Sequence, residues 1–306
     1  MSTPVFQRIV LVRDRKIFYR EAGDPSAPTI LLLHGLPGSS ADYSNLIVAL
    51  ADKFHLIAPD YIGFGESEAP TRDQFDYTFE NLSTHVAGLV DAIGLKSYTL
   101  YMHDCGGPVG FRLFVRDPSR ITGFVIQNAN AYVEGVSTAC FRALAPLWES
   151  RTIKTEWAAQ QFVSFIHPDA LAAETPPAGH SAAGYCPLKL CEAPAGLIDL
   201  LEDYRTNVAL YPDWQAAFRK HTPPTLIIWG KHDPVFIPPG ARAYLNDLPQ
   251  AKLVWLDAGH AVLEQNWVNV ATQIKVAFLP CTVPLLSAAM IAHERAARIY
   301  HHRQPT

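Results

Sequence analysis

Short runs of consecutive apolar residues recur along this chain, and each ends on a turn signal. Residues 29–33 (TILLL) lead into His34-Gly35, 54–58 (FHLIA) into Pro59-Asp60, and 98–102 (YTLYM) into His103-Asp104. Farther on, 124–127 (FVIQ) lead into Asn128, 225–229 (TLIIW) into Gly230 and 252–256 (KLVWL) into Asp257. Apolar runs without alternation are how strands covered on both faces read. Residues 7–19 read differently, as an antiparallel hairpin with Asp14 near its turn. Helical patterns lie between the runs. Leu82, Val86, Leu89, Val90 and Ile93 share one helical face, with Gly94 as a stop signal. A second helical stretch, 107–116, begins directly after Asp104-Cys105-Gly106. Strand, tight turn and helix in repetition predict an α/β fold on a mostly parallel, twisted sheet flanked by helices.

The rhythm breaks between 131 and 222. That stretch holds Pro146, Pro168, Pro176-Pro177, Pro187, Pro194 and Pro212, carries aromatic residues at helical spacing and shows no clear strand. We expect a core domain formed by 1–130 and 223–280, a helical lid (cap) inserted over 131–222, and a tail over 281–306. In that tail, 285–300 has the pattern of one amphipathic helix. No period of 20 to 50 residues repeats, which argues against a solenoid.

Composition narrows the classes. Of 306 residues, 49% are hydrophobic and 18% charged, enough to bury a large core. Lys and Arg number 25 against 29 Asp and Glu, so no excess positive charge is there to hold a phosphate backbone, and nucleic acid is not expected as a partner. Five cysteines, an odd number in a chain this long, suggest a reducing compartment. Residues 1–12 lack a signal-peptide layout and no apolar stretch is long enough for a membrane span, so a cytoplasmic protein without membrane contact is expected. The oligomeric state, monomer or homodimer, is left open.

Candidate chemistry sits at strand ends. Asp104, Asp233 and His260 each follow an apolar run, and in open parallel sheets reactive groups gather beyond the carboxyl ends of strands. An acid, a second acid and a histidine in that order suit nucleophile, orienting acid and base. The segments His34-Gly35-Leu36-Pro37-Gly38-Ser39-Ser40, Asp60-Tyr61-Ile62-Gly63-Phe64-Gly65-Glu66-Ser67, His103-Asp104-Cys105-Gly106-Gly107-Pro108, Trp229-Gly230-Lys231-His232-Asp233-Pro234 and Gly259-His260 occur in sequence. Over about residues 8 to 279 the chain resembles an α/β-hydrolase of the epoxide hydrolase and haloalkane dehalogenase branch.

The nucleophile turn needs small residues beside it. Gly106 and Gly107 supply them after Asp104, whereas a Cys105 nucleophile would put bulky His103 in a small position. Met102 stands where the family often has a small residue. A carboxylate attacking saturated carbon leaves an ester that water can hydrolyse; attack on an ester would leave an anhydride instead. The resemblance implies an oxyanion site from the backbone N–H groups of Leu36 and Cys105, His260 as base for water, and Asp233 holding its tautomer. Asn128 stands where some relatives place the orienting acid, but an amide cannot carry that charge; Glu134 is a distant substitute.

The leaving group separates the branches. The dehalogenase pattern often has Trp directly after the nucleophile and sometimes Asn after His-Gly; here those places hold Cys105 and Leu36, and the arginines of the fluoroacetate type are absent. An epoxide needs a proton for its alkoxide, and Asp203-Tyr204-Arg205-Thr206-Asn207 looks like the segment that supplies a lid tyrosine. No tyrosine occupies the window around Leu147-Trp148-Glu149 where another is usual. Trp148 is then a wall or hydrogen-bond donor, and Tyr132, Tyr185 or Tyr211 are substitutes. The leading expectation is an epoxide hydrolase working through an ester on Asp104, on a small apolar organic substrate. Dehalogenation, ester or lactone hydrolysis through Cys105 or water, and a ligand-binding or cyclising protein of secondary metabolism are the alternatives. No cofactor is expected: there is no P-loop, Gly63-Phe64-Gly65 is too short for a dinucleotide fingerprint, and Cys186 and Cys191 lack histidines at zinc spacing.

Overall fold

The computed structural model describes residues 4–166 and 196–279. The tail helix expected over 285–300, Tyr185, Cys186 and Cys191 lie outside them. The described residues form one eight-stranded sheet of order β1-β2-β4-β3-β5-β6-β7-β8. Its strands are β1 (Val5–Val12), β2 (Arg15–Ala22), β3 (Thr29–Leu33), β4 (His55–Pro59), β5 (Tyr98–His103), β6 (Ile121–Gln127), β7 (Thr225–Gly230) and β8 (Lys252–Leu256). The β1–β2 pair is the expected hairpin, with Val12 opposite Arg15. Its two-residue turn puts Arg13 and Asp14 both at positive φ (48° and 63°), the backbone that matches strand twist in a tight hairpin. Strand β2 pairs antiparallel with β4 as well, and every pairing across the sheet from β4 to β8 is parallel.

The apolar runs are explained by burial on two faces. Leu31, Leu33, Leu100, Met102, Phe124, Ile126, Ile227 and Trp229 point into one core. Their neighbours Ile30, Leu32, Tyr101, Val125, Leu226 and Ile228 point into the other. Helices α1 (Ser44–Leu50) and α8 (Leu263–Phe278) cover the second face, through Leu46, Leu50, Val270 and Ile274. Helices α2 (Phe79–Ala92) and α3 (Gly106–Arg116) cover the first. Thr78 caps α2 by accepting the Asn81 N–H, so the helix starts three residues before the apolar stripe that predicted it. Strand β6 likewise begins three residues early, at Ile121, because Ile121 and Gly123 continue its ladder beside β5 around an irregularity at Thr122.

Between β6 and β7 the described residues carry helices and no strand. They are α4 (Thr138–Glu149), α5 (Ile153–Ile166) and α6 (Leu197–His221); α7 (Pro238–Asp247) follows β7. Ion pairs of Asp199 on α6 with Arg72 and Arg151 tie this region to the loop before α2 and to the segment between α4 and α5. Among the described residues no helix is long and apolar enough to cross a membrane.

Candidate active site

Asp104 occupies the turn between β5 and α3 at φ +49°, a conformation that costs a non-glycine residue energy. The turn can be this sharp because Gly106 has no side chain: a Cβ there would lie 2.1 Å from the Leu33 carbonyl oxygen. Met102 is accommodated in the same way. A Cβ on Gly110 would sit 2.5 Å from the Met102 sulfur, so the larger residue on β5 is matched by an absent one on α3. The departure from the family pattern is thus absorbed one turn along the helix.

His260 follows β8. Its Nε2 lies 3.4 Å from Asp104 Oδ2 and its Nδ1 2.8 Å from Asp233 Oδ2. Asp233, on the loop after β7, is fully enclosed. Its Oδ1 accepts the N–H groups of Val235 (2.7 Å) and Phe236 (3.1 Å), while Oδ2 also accepts from Asn128 Nδ2 (2.6 Å). Asn128 reaches back with its Oδ1 to accept the Gly230 N–H at 3.0 Å. An amide at the end of β6 therefore braces the acid at the end of β7. It has positive φ (43°), which asparagine tolerates well. Sequence reasoning set Asn128 aside for lacking a charge; its place at a strand end was the available signal. With Asp233 at His260 Nδ1, Glu134 is not needed as a substitute.

Electrostatics follow from this geometry. Burial opposes charge on His260, but Asp233 and Asp104 outweigh it and push its pKa up to about 10. Burial likewise opposes charge on Asp104, and the imidazolium outweighs it, so the carboxyl lies well below the usual range. His103, packed 5.0 Å from the His260 ring, is driven down to about 4 by burial and by the His260 charge. It stays neutral at physiological pH and bonds the His260 carbonyl oxygen through Nε2 (3.2 Å).

The Leu36 N–H donates to Asp104 Oδ1 at 2.9 Å. The loop that presents it is braced by His34, whose Nε2 accepts the Tyr61 N–H (3.2 Å), and by Asp60, which accepts from Ser40 N (2.6 Å) and Glu66 N (2.8 Å). Cys105 is buried, and burial followed by the Asp104 charge pushes its thiol well above the ordinary value. That is the reverse of what a thiolate nucleophile needs.

The aromatic candidates separate. Tyr204 and Tyr211, both buried on α6, share a hydrogen bond between hydroxyls (3.1 Å), and Asn130 Nδ2 donates to Tyr211 (3.3 Å). The Tyr204 ring stacks on Phe236 (6.4 Å), which lies 5.9 Å from the His260 ring. Burial, then the Tyr211 and Cys105 groups, raise the Tyr204 pKa far above that of a free phenol, so it holds its proton. Trp148 stacks on Tyr204 at 6.4 Å, but its indole N–H is already donated to the Leu201 carbonyl (2.9 Å). Tyr132 donates its hydroxyl to Asp247 (2.6 Å), which also pairs with Arg219. Its hydroxyl serves that buried junction, because a buried carboxylate takes the nearest strong donor.

Known proteins resemble this chain in sequence and in fold. A family profile described as the alpha/beta hydrolase fold matches residues 28–173. The chain is 37% identical over 280 residues to an uncharacterised hydrolase of Saccharomyces cerevisiae, covering 88% of this chain and 95% of that protein. The chain belongs to the α/β-hydrolase family. This α/β-hydrolase is also 28% identical over 284 residues to the cis-3-alkyl-4-alkyloxetan-2-one decarboxylase of Shewanella oneidensis, covering 88% and 87% of the two chains. Its fold matches the haloalkane dehalogenase DbeA of Bradyrhizobium elkani (TM-score 0.72, 22% identity, 90% and 99% covered). It also matches an epoxide hydrolase of Vigna radiata (TM-score 0.67, 20% identity, 89% and 97% covered). At those identities the likeness to the two structures is one of fold.

Proposed function

We propose that this hydrolase opens a strained oxygen ring, an epoxide in the first place, through a covalent ester on Asp104. The observation that carries the reading is the Asp104–His260–Asp233 line, with 3.4 Å on one side of the imidazole and 2.8 Å on the other. Asp104 Oδ2 attacks a saturated ring carbon; the new C–O bond forms as the ring C–O bond breaks. Tyr204 gives its proton to the departing alkoxide. Esterification removes the Asp104 charge, so the support that kept His260 protonated falls away and the imidazole sheds its proton. That proton returns to the Tyr204 phenolate, which restores the phenol. Neutral His260 then takes a proton from water as the water attacks the ester carbonyl, to whose oxygen the Leu36 N–H donates. Collapse breaks the acyl C–O bond, the expelled alkoxide takes the remaining water proton from the new Asp104 carboxyl group, and the diol leaves with Asp104 again a carboxylate and His260 an imidazolium.

The tyrosine pair favours an epoxide over a halide. A halide needs N–H donors, and the Trp148 indole is committed to Leu201 while Leu36 offers no side-chain donor. A second reading has support in the Shewanella relative: an oxetan-2-one is also a strained oxygen ring. Attack at its saturated carbon would release a carboxylate, which needs no proton from Tyr204.

Single turnovers in H2-18-O with panels of epoxides, oxetan-2-ones and haloalkanes test the proposal. We expect an unlabelled diol from an epoxide and heavy oxygen in the Asp104 carboxylate. Label in the first-turnover diol, with none in Asp104, would refute the ester. Turnover confined to oxetan-2-ones would select the second reading.

A further inference from the structure

We infer that Arg112 is a positioning residue that fixes the Tyr204–Tyr211 hydroxyl pair relative to the nucleophile; the inference rests on the reading of Tyr204 as proton donor. Arg112 lies on α3, the helix that starts at the Asp104 turn, and its side chain is only 5% exposed. A guanidinium at that depth is costly unless its donors are used. Here they reach across to α6. Nη1 donates to Asn207 Oδ1 at 2.6 Å and Nη2 to Thr206 Oγ1 at 3.1 Å. Nη1 also donates to the Pro108 carbonyl (3.1 Å), and Nε lies 3.3 Å from Glu80 Oε2.

The spacing on α6 gives this grip its meaning. Asn207 comes three residues after Tyr204 and four before Tyr211, so the three share one helical face. Trp214 continues that face, and the guanidinium lies over its ring at 5.5 Å. The same guanidinium lies over Phe79 at 5.8 Å, and Phe79 meets the Tyr204 ring edge-on at 5.9 Å. One planar fork thus holds a residue beside each tyrosine and a ring against one of them. An apolar side chain could fill the space between α3 and α6 without the cost of burying a charge, but it would fix neither the rotation nor the slide of α6. Arg is suited to this because its donors are rigid in direction, whereas a lysine offers a point charge.

The test uses Arg112→Met, Arg112→Lys and Asn207→Leu in the full chain, with two readouts. In protein carrying 13Cζ-labelled tyrosine, with signals assigned by Tyr204→Phe and Tyr211→Phe, Arg112→Met and Asn207→Leu should shift both resonances, and Arg112→Lys should restore them only in part. In rapid-quench experiments with styrene oxide, Arg112→Met should slow ester formation about ten- to a hundredfold. Ester hydrolysis should change less than about twofold, because it depends on His260. Adding Arg112→Met to Tyr204→Phe should then cost little more. Unmoved tyrosine signals in a folded variant, equal slowing of both steps, or full additivity with Tyr204→Phe overturns the inference. Should the wild-type protein form no ester with any epoxide, the proposed function fails by itself, and the tyrosine signals still decide the positioning. Asn207→Leu carries the test where Arg112→Met does not fold.

Discussion

Replacing Asp104 with Asn removes one charge and keeps the shape of the side chain, so it mimics the electrostatics of the esterified state. The structure places the lost charge 3.4 Å from His260 Nε2. Two unit charges at that separation interact by about 5 kcal/mol at an effective dielectric of ~20. At 1.36 kcal/mol per pKa unit this is a ceiling of about 3.5 units. Asp233 remains 2.8 Å from Nδ1 and keeps part of the support. We therefore expect His260 to fall by about 2–3 units from its value near 10 in Asp104→Asn, bringing it close to neutrality. Titration of the imidazole nitrogens by 15N NMR reads this directly. Stability supplies a second assay, with the sign set by linkage. A histidine whose folded pKa is raised above the ordinary 6.5 gives its full stabilisation below about pH 6.5 and loses it as pH rises toward 10. In urea unfolding the wild-type protein should thus lose this contribution between about pH 6.5 and 10, and Asp104→Asn should lose less of it. A His260 pKa that moves by under half a unit would refute the pairing, and with it the account of how an imidazolium becomes the base for water.

Other outcomes follow from single contacts. His260→Gln should stop after one round and leave the ester, read as a mass increase on the Asp104 peptide; undiminished turnover would remove His260 from the mechanism. Asn128→Leu strips Asp233 of its 2.6 Å donor and leaves the Gly230 N–H without its partner, so we expect a stability loss of about 1–3 kcal/mol per orphaned group and slower ester hydrolysis, by denaturation and rapid quench. Gly110→Ala forces a methyl against the Met102 sulfur and should destabilise by about 1–3 kcal/mol, with Met102→Ala in the same chain recovering part of that loss of packing. Tyr132→Phe orphans one Asp247 bond and should lower stability by about 1–3 kcal/mol while leaving ester formation within about twofold, which separates it from Tyr204→Phe.

The layered architecture was already written in the apolar pattern of the chain. Runs such as TILLL and KLVWL are apolar at every position because strands flanked by helices bury both faces, and β3 and β8 fall on those runs residue for residue. Asp104, Asp233 and His260 were legible for a related reason: each follows such a run, and parallel strands place all their carboxyl ends along one edge. Spacing along the chain does not encode which side chains then meet. That Asn128 joins the strand ends at 2.6 Å, that Trp148 spends its indole on Leu201, that Tyr132 serves Asp247 while Tyr204 meets Tyr211, and that Arg112 spans to Asn207 were decided by tertiary structure. Each of these depends on how two distant elements are rotated against one another, and a hydrogen bond is made or lost over a fraction of an ångström.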